Sequence, residues 1–221
     1  MIDERLQEYI RYIVSRGDGY PRQHEETESY AALLESRGFT CEIDDAGNVR
    51  ASRGTPTWLF CAHMDNIEGC PGYDDKCGIG IIAHLAGATD LPVRVLWTAE
   101  EEVGQLGARA IEKEWFDGLR GALVLDRRGD SDLVTRIGKV ALCSMEMGRT
   151  LVDLWGQHGL QYDPCDGRMS DAYILARHLP TINLSVGFHE EHTKREWCDF
   201  EATTKAYHAA KLLLESAVTW E

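Results

Sequence analysis

At 221 residues, 43% of them apolar, the chain is long enough to bury a sizeable core and to fill one domain, expected here to span residues 1–221. A formal charge of −14 argues against nucleic acid and anionic membrane as partners, since both attract the opposite sign. There is no run of eighteen apolar residues and the opening MIDERLQEYI is acidic and polar, so a soluble cytoplasmic protein is expected. Along the chain, Leu6, Ile10, Ile13 and Val14 fall at helical spacing, and Tyr30, Leu33 and Leu34 mark a second helix that Gly38 would end. Residues 39–43 and 48–51 flank Asp44-Asp45-Ala46-Gly47, a hairpin signal, ahead of an apolar strand at 57–62. Residues 79–86 read as helix, 93–98 as a strand, 108–115 as helix and 121–125 as a short buried strand. A helix at 171–179 precedes a strand at 181–186, and Asp199 can cap a last helix carrying Ala206, Ala209, Leu213 and Leu214. Near-continuous apolar strands separated by helices imply an α/β fold, its largely parallel sheet covered on both faces. Such sheets bind ligands at the carboxyl ends of their strands.

The residues that carry chemistry gather at those ends. His63 and Asp65 stand two apart where the 57–62 strand finishes, so in extended chain they share a face. A carboxylate there can hold one imidazole nitrogen while the other binds a metal. Asp74 enters after a loop rich in glycine and proline, Glu100-Glu101-Glu102 follow the 93–98 strand, and Asp126 ends the 121–125 strand. Carboxylates crowded into a crevice repel one another and need cations to neutralise them. Oxygen donors with a few imidazoles suit zinc, manganese or cobalt. After the 181–186 strand comes GFHEEHTKREW, in which either His189 or His192 can supply a second imidazole. The seven cysteines, an odd number with no Cys-x-x-Cys pair, suit reduced thiols in a cytosol.

Five motifs then stand in order: HMD at 63–65, DDK at 74–76, EEVG at 101–104, LD at 125–126, and H-x-x-x-E running from His192 to Glu196. With them the chain resembles the co-catalytic di-zinc exopeptidases, the superfamily of bacterial tripeptidase, aminoacylase, and the glutamyl and leucyl aminopeptidases. SDA at 170–172, followed by PTINLSVG, is similar to the segment that precedes the last histidine in that superfamily. The resemblance implies a three-layer α/β/α sandwich around a mixed, mostly parallel sheet. It implies two divalent ions, zinc with cobalt or manganese as alternatives, bridged by Asp74. His63 and Asp126 would sit on one ion and Glu102 and His192 on the other. Asp65 would orient His63, and Glu101 would be the general base. His192 is preferred to His189 because only it has a glutamate four residues on. The resemblance also implies a cis bond between Asp74 and Asp75.

The chain departs from the larger members in one respect. Only 65 residues lie between Asp126 and His192, too few for the lid domain that those members insert there. His158, Tyr162 and Arg168 are the available substitutes for contacts the lid would supply. A lidless chain with aspartate at position 126 is more similar to the single-domain aminopeptidases, so hydrolysis of short peptides from the amino end is expected. Two alternatives remain open. One is an amidase of N-acylated amino acids, for which Arg127, Arg128, Arg168 or Arg195 would hold the substrate carboxylate. The other is a metal-binding module of the same fold without activity.

Overall fold

The computed structural model describes residues 2–16 and 23–218. Helix α1 (Glu4–Ser15) is started by the Asp3 carboxylate, which accepts the N–H groups of Arg5 and Leu6, and it buries Leu6, Ile10 and Ile13. Helix α2 (Gln23–Glu35) stops just ahead of Gly38, whose φ of +81° is the left-handed turn that glycine allows at no steric cost. Strands β1 (Thr40–Ile43) and β2 (Val49–Arg53) form an antiparallel hairpin, its turn closed by the Asp44 carboxylate accepting the N–H groups of Ala46 and Asn48. Then follow β3 (Trp58–His63), α3 (Tyr73–Ala88), β4 (Val93–Thr98), α4 (Leu106–Ala110) and β5 (Gly121–Arg127). The second half runs β6 (Asp132–Ile137), β7 (Val140–Ala141), α5 (Met145–Gly156), β8 (Asp163–Asp166), α6 (Asp171–Leu175) and β9 (Thr181–Ser185). A small hairpin of β10 (Phe188–His189) and β11 (Trp197–Cys198) leads into α7 (Phe200–Glu215).

The main sheet has nine strands in the order β1-β2-β4-β3-β5-β9-β6-β7, with β8 beside β6. Its centre, β4-β3-β5-β9, is parallel, and antiparallel pairing begins on either side, at β2 with β4 and at β6 with β9. Period-two alternation decides which side chains go where. From β3, Trp58, Phe60 and Ala62 enter the larger core, packed with residues of α1, α2, α3, α5 and α7, while Leu59 and Cys61 enter a smaller one closed by α6 and Phe116. That is the layered α/β arrangement expected from the apolar strand runs. Among the described residues, no helix is long and apolar enough to cross a membrane.

Three segments differ from the pattern reading. The helix expected over 108–115 is broken: α4 ends at Ala110, Ile111 is extended with φ −72° and ψ 126°, and a separate 3-10 turn spans Lys113–Phe116. The helix expected over 171–179 is regular only in α6, with turns beyond it. Residues 132–166 carry β6, β7, α5 and β8, none of which the pattern reading had assigned.

One close approach positions the carboxyl ends of the central strands. A Cβ on Gly78 would lie 2.1 Å from the Leu125 carbonyl oxygen and 2.6 Å from the Asp75 carboxylate. Glycine there lets the start of α3 lie directly against β5, which brings Asp74 beside Asp126.

Candidate metal centre

All four central parallel strands deliver residues to one rim. His63 is the last residue of β3, Glu101 and Glu102 follow β4, Asp126 lies near the end of β5, and His192 stands in the loop beyond β9, between β10 and β11. Asp74 comes from the first turn of α3, next to a cis peptide bond between Asp74 and Asp75. His63, Asp74, Glu101, Glu102, Asp126 and His192 line one cavity of about 260 Å³.

Asp74 is the hinge of the arrangement. Its Oδ1 lies 3.1 Å from His63 Nε2, which is also 3.8 Å from Asp126 Oδ1. Its Oδ2 lies 3.3 Å from His192 Nε2, which is 3.0 Å from Glu102 Oε2. One carboxylate therefore turns an oxygen to each of two imidazole and carboxylate pairs. Asp75 is held differently: its oxygens accept the backbone N–H groups of Gly78 at 2.9 Å and His63 at 3.3 Å, while its carboxylate also lies near His63 and Asp126.

His63 Nδ1 meets the backbone carbonyl of Asp65 at 2.9 Å, with the Asp65 carboxylate at 3.6 Å. That carboxylate also accepts the backbone N–H groups of Glu101 at 3.0 Å and Glu102 at 3.1 Å. Asp65 thus faces the imidazole and fixes the turn bearing both glutamates. The Asp126 backbone is held likewise: its N–H donates to Asn183 Oδ1 at 3.1 Å and its carbonyl accepts from Asn183 Nδ2 at 2.9 Å. These bonds fill a register shift between β5 and β9 that falls between Val124 and Arg127, and such a bulge re-aims the side chain it carries. Asn183 escaped the sequence reading, although a polar residue inside the apolar run 181–186 was the signal available.

Electrostatics follow from burial and crowding. Burial alone would lower the His63 pKa, but the carboxylates of Asp65, Asp74 and Asp126 carry it well above the imidazole range. Burial would raise Asp74, yet the two histidines hold it down at about 2. Burial pushes Asp126 well above the carboxylate range, with Asp74 and Asp75 adding repulsion. Glu101 is raised to about 8, mainly by burial, while Gln105 Nε2 donates to its Oε1 at 3.0 Å. His192 is raised to about 9, chiefly by its hydrogen bond to Asp74.

The donor set fits divalent cations. His63 with Asp74 and Glu102, and His63 with Asp75 and Asp126, each offer ligand atoms within 4.8 Å of one another. Glu102 Oε1 is buried without a hydrogen-bond partner, a donor left for something the protein itself does not supply. Imidazole nitrogen combined with carboxylate oxygen suits zinc.

The other residues singled out by sequence divide clearly. His189 is not at the centre; its ring stacks on Trp197 with centroids 4.3 Å apart. Tyr162 is buried against Trp155, His158 is exposed beyond α5, and of the three lid substitutes only Arg168 lines the cavity. Arg127 is bound to Asp132 at 2.6 and 2.8 Å, Arg128 pairs with Glu191 at 3.1 Å, and Arg195 pairs with Glu190 at 2.8 Å. Arg168 approaches Glu191 only to 3.9 Å and is largely exposed.

No family model matches the chain, and no curated protein matches it by sequence. Solved structures match its fold. The aminopeptidase PepT from Bacillus cereus ATCC 10987 superposes with a TM-score of 0.83 at 16% identity, over 97% of this chain and 98% of that one. A tripeptidase from Staphylococcus aureus gives a TM-score of 0.79 at 13% identity, over 98% of this chain and 100% of that one. BSAP, a zinc aminopeptidase from Bacillus subtilis, gives 0.64 at 17% identity, over 79% of this chain and 50% of that one. The chain has the α/β fold of these aminopeptidases and of the tripeptidase.

Proposed function

We propose that the chain is a metal-dependent exopeptidase that removes residues from the amino end of short peptides, with zinc, cobalt or manganese in a two-ion centre. The observation that carries this reading is Asp74, whose two oxygens face two separate imidazole and carboxylate pairs in a cavity that also holds Glu101. His63 and Asp126 would hold one ion, Glu102 and His192 the other, with Asp74 between them. When bound, such a pair lowers the pKa of water towards about 7 and polarises the scissile carbonyl. Glu101 is the general base in this reading: it takes the proton of the attacking water and returns it to the departing amine. Gln105 holds one of the Glu101 oxygens and so fixes its aim. Asp65 keeps the Glu101 turn in register with His63.

Direction follows from charge. Asp74, Glu101, Glu102 and Asp126 line the cavity beside Arg127, Arg128 and Arg168, and any acidic charge that the two ions leave uncompensated favours an ammonium group over a carboxylate. Arg127 is committed to Asp132, and Arg128 to Glu191. The likeness in fold to aminopeptidases supports the same direction. One observation favours the second reading, an amidase of N-acylated amino acids: Arg168 lines the cavity with no contact closer than 3.9 Å to its acidic neighbour. Three peptides of one sequence, free, N-acetylated and C-amidated, decide between them. Aminopeptidase action requires that acetylation abolish cleavage and that amidation leave it nearly intact. Faster cleavage of the acetylated peptide would replace this reading with the amidase.

A further inference from the structure

Glu196 takes no part in the chemistry proposed above, yet it is only 6% exposed and bonded to the backbone that carries Asp74. Its Oε2 accepts the backbone N–H of Gly72 and its Oε1 the backbone N–H of Asp74, each at 2.7 Å and across more than 120 residues of chain. Two amide donors on the two oxygens of one carboxylate are charge-assisted bonds with a fixed geometry. They hold the chain immediately before the Asp74 side chain. Four residues earlier on the same loop, His192 Nε2 meets Asp74 Oδ2 at 3.3 Å. A single loop therefore grips Asp74 twice, by its backbone through Glu196 and by its carboxylate through His192.

The loop is itself constrained. His192 and Glu190 adopt left-handed backbone conformations, with φ of 63° and 53°, which non-glycine residues keep only where the surroundings enforce them. On the other side of the contact Gly72 has φ +87°, and a Cβ there would come within 3.1 Å of Asn66. The two segments meet at a fixed distance through Glu196.

We infer that Glu196 is a positioning residue: it sets where the Asp74 carboxylate stands between the two imidazoles, and through that sets how tightly the chain holds two cations. The inference rests on the metal reading of the site. A strut that served the fold alone would change the melting temperature and leave cation affinity untouched, so the two roles separate by experiment. Glu196→Gln keeps the shape and one carbonyl oxygen but turns an amide N–H₂ against one of the two backbone donors. Zinc affinity of the full chain is measured by competition with a chromophoric chelator, and the melting temperature of the metal-free protein is measured in EDTA. Removing a partner that orients a ligand costs 10–100-fold in metal affinity, so a loss of about that size is expected in Glu196→Gln. A control in the same loop, Glu190→Gln, should match the parent. Should Glu196→Gln fail to fold, Glu196→Asp, which keeps the charge but withdraws it by one methylene, is measured in the same way and should also weaken zinc. Affinity within twofold of the parent in the folded variant would overturn the inference and leave the metal centre standing. A parent chain that takes up no zinc would overturn both.

Discussion

Glu101 and Glu102 are neighbours in sequence with opposite surroundings. Glu101 is buried and bonded to Gln105, whereas Glu102 turns one oxygen to His192 and leaves the other unpartnered. Glu101→Gln should therefore keep its metal and lose roughly 10²–10⁴ in kcat, the usual contribution of a positioned acid or base. Glu102→Gln should instead weaken one cation site. Metal analysis beside steady-state kinetics checks both, and the reverse pattern would mean the two roles are exchanged. At this scale the motifs act through the resemblance they carry, which prefers His192 to His189. H-x-x-x-E distinguished His192 from His189, and in the structure it is His192 that meets Asp74 and Glu102 while His189 stacks on Trp197. The hydrogen bonds from Asn183 to the Asp126 backbone, and those from the 101 and 102 amides to Asp65, were not legible, because nothing in a linear pattern says which backbone groups a bulge or a turn leaves unpaired.

The elements that hold these residues depend on a few close contacts. Gly78→Ala would place a methyl 2.1 Å from the Leu125 carbonyl oxygen, so α3 would have to move off β5. A clash of that kind costs about 3 kcal/mol or more, which lowers the melting temperature by roughly 6–12 °C in a protein of this size. A parent-like melting curve in EDTA would show that the two elements are not locked. Helix α6 supplies a pH test. Asp171 is buried, and burial raises its carboxyl to about 6 although the Thr98 hydroxyl donates to it. A carboxyl raised on folding favours the folded state below about pH 4, and that contribution is lost as pH rises through 6. Asparagine does not titrate. The stability of Asp171→Asn relative to the parent should therefore improve by up to about 3 kcal/mol between pH 4 and pH 7.5 in metal-free protein. Denaturant melts at both pH values measure it, and an unchanged difference would place the Asp171 pKa at its ordinary value. The central strands were legible because each is a short, nearly unbroken apolar run. Helix α5 was missed although Ser144 caps it and Met147, Leu151 and Trp155 are buried at helical spacing, since Gly148 and polar residues interrupt the run. The break at Ile111 has a different origin: that residue packs into the smaller core in an extended conformation, a tertiary choice that overrides local helical spacing.

Over the whole molecule, sheet topology and function converge on one edge. The parallel strands β4, β3, β5 and β9 point the same way, so His63, the Glu101 and Glu102 turn, Asp126 and the His192 loop arrive together although they span most of the sequence. The formal charge of −14 argues against anionic partners but says nothing of where the acids lie. The fold concentrates Asp74, Glu101, Glu102 and Asp126 in one cavity, and the positive partners that Asp74, Glu102 and Asp126 have within 4 Å are the two imidazoles. Carboxylates packed this closely, with the cavity's Arg127 and Arg128 already paired to Asp132 and Glu191, should take up two cations. The direct measurement is zinc stoichiometry by elemental analysis after dialysis against saturating zinc and removal of the excess, for the parent and for Asp74→Asn. Two zinc ions per chain in the parent, and fewer in Asp74→Asn, are expected; one ion per chain, unchanged by the substitution, would contradict the bridging role of Asp74.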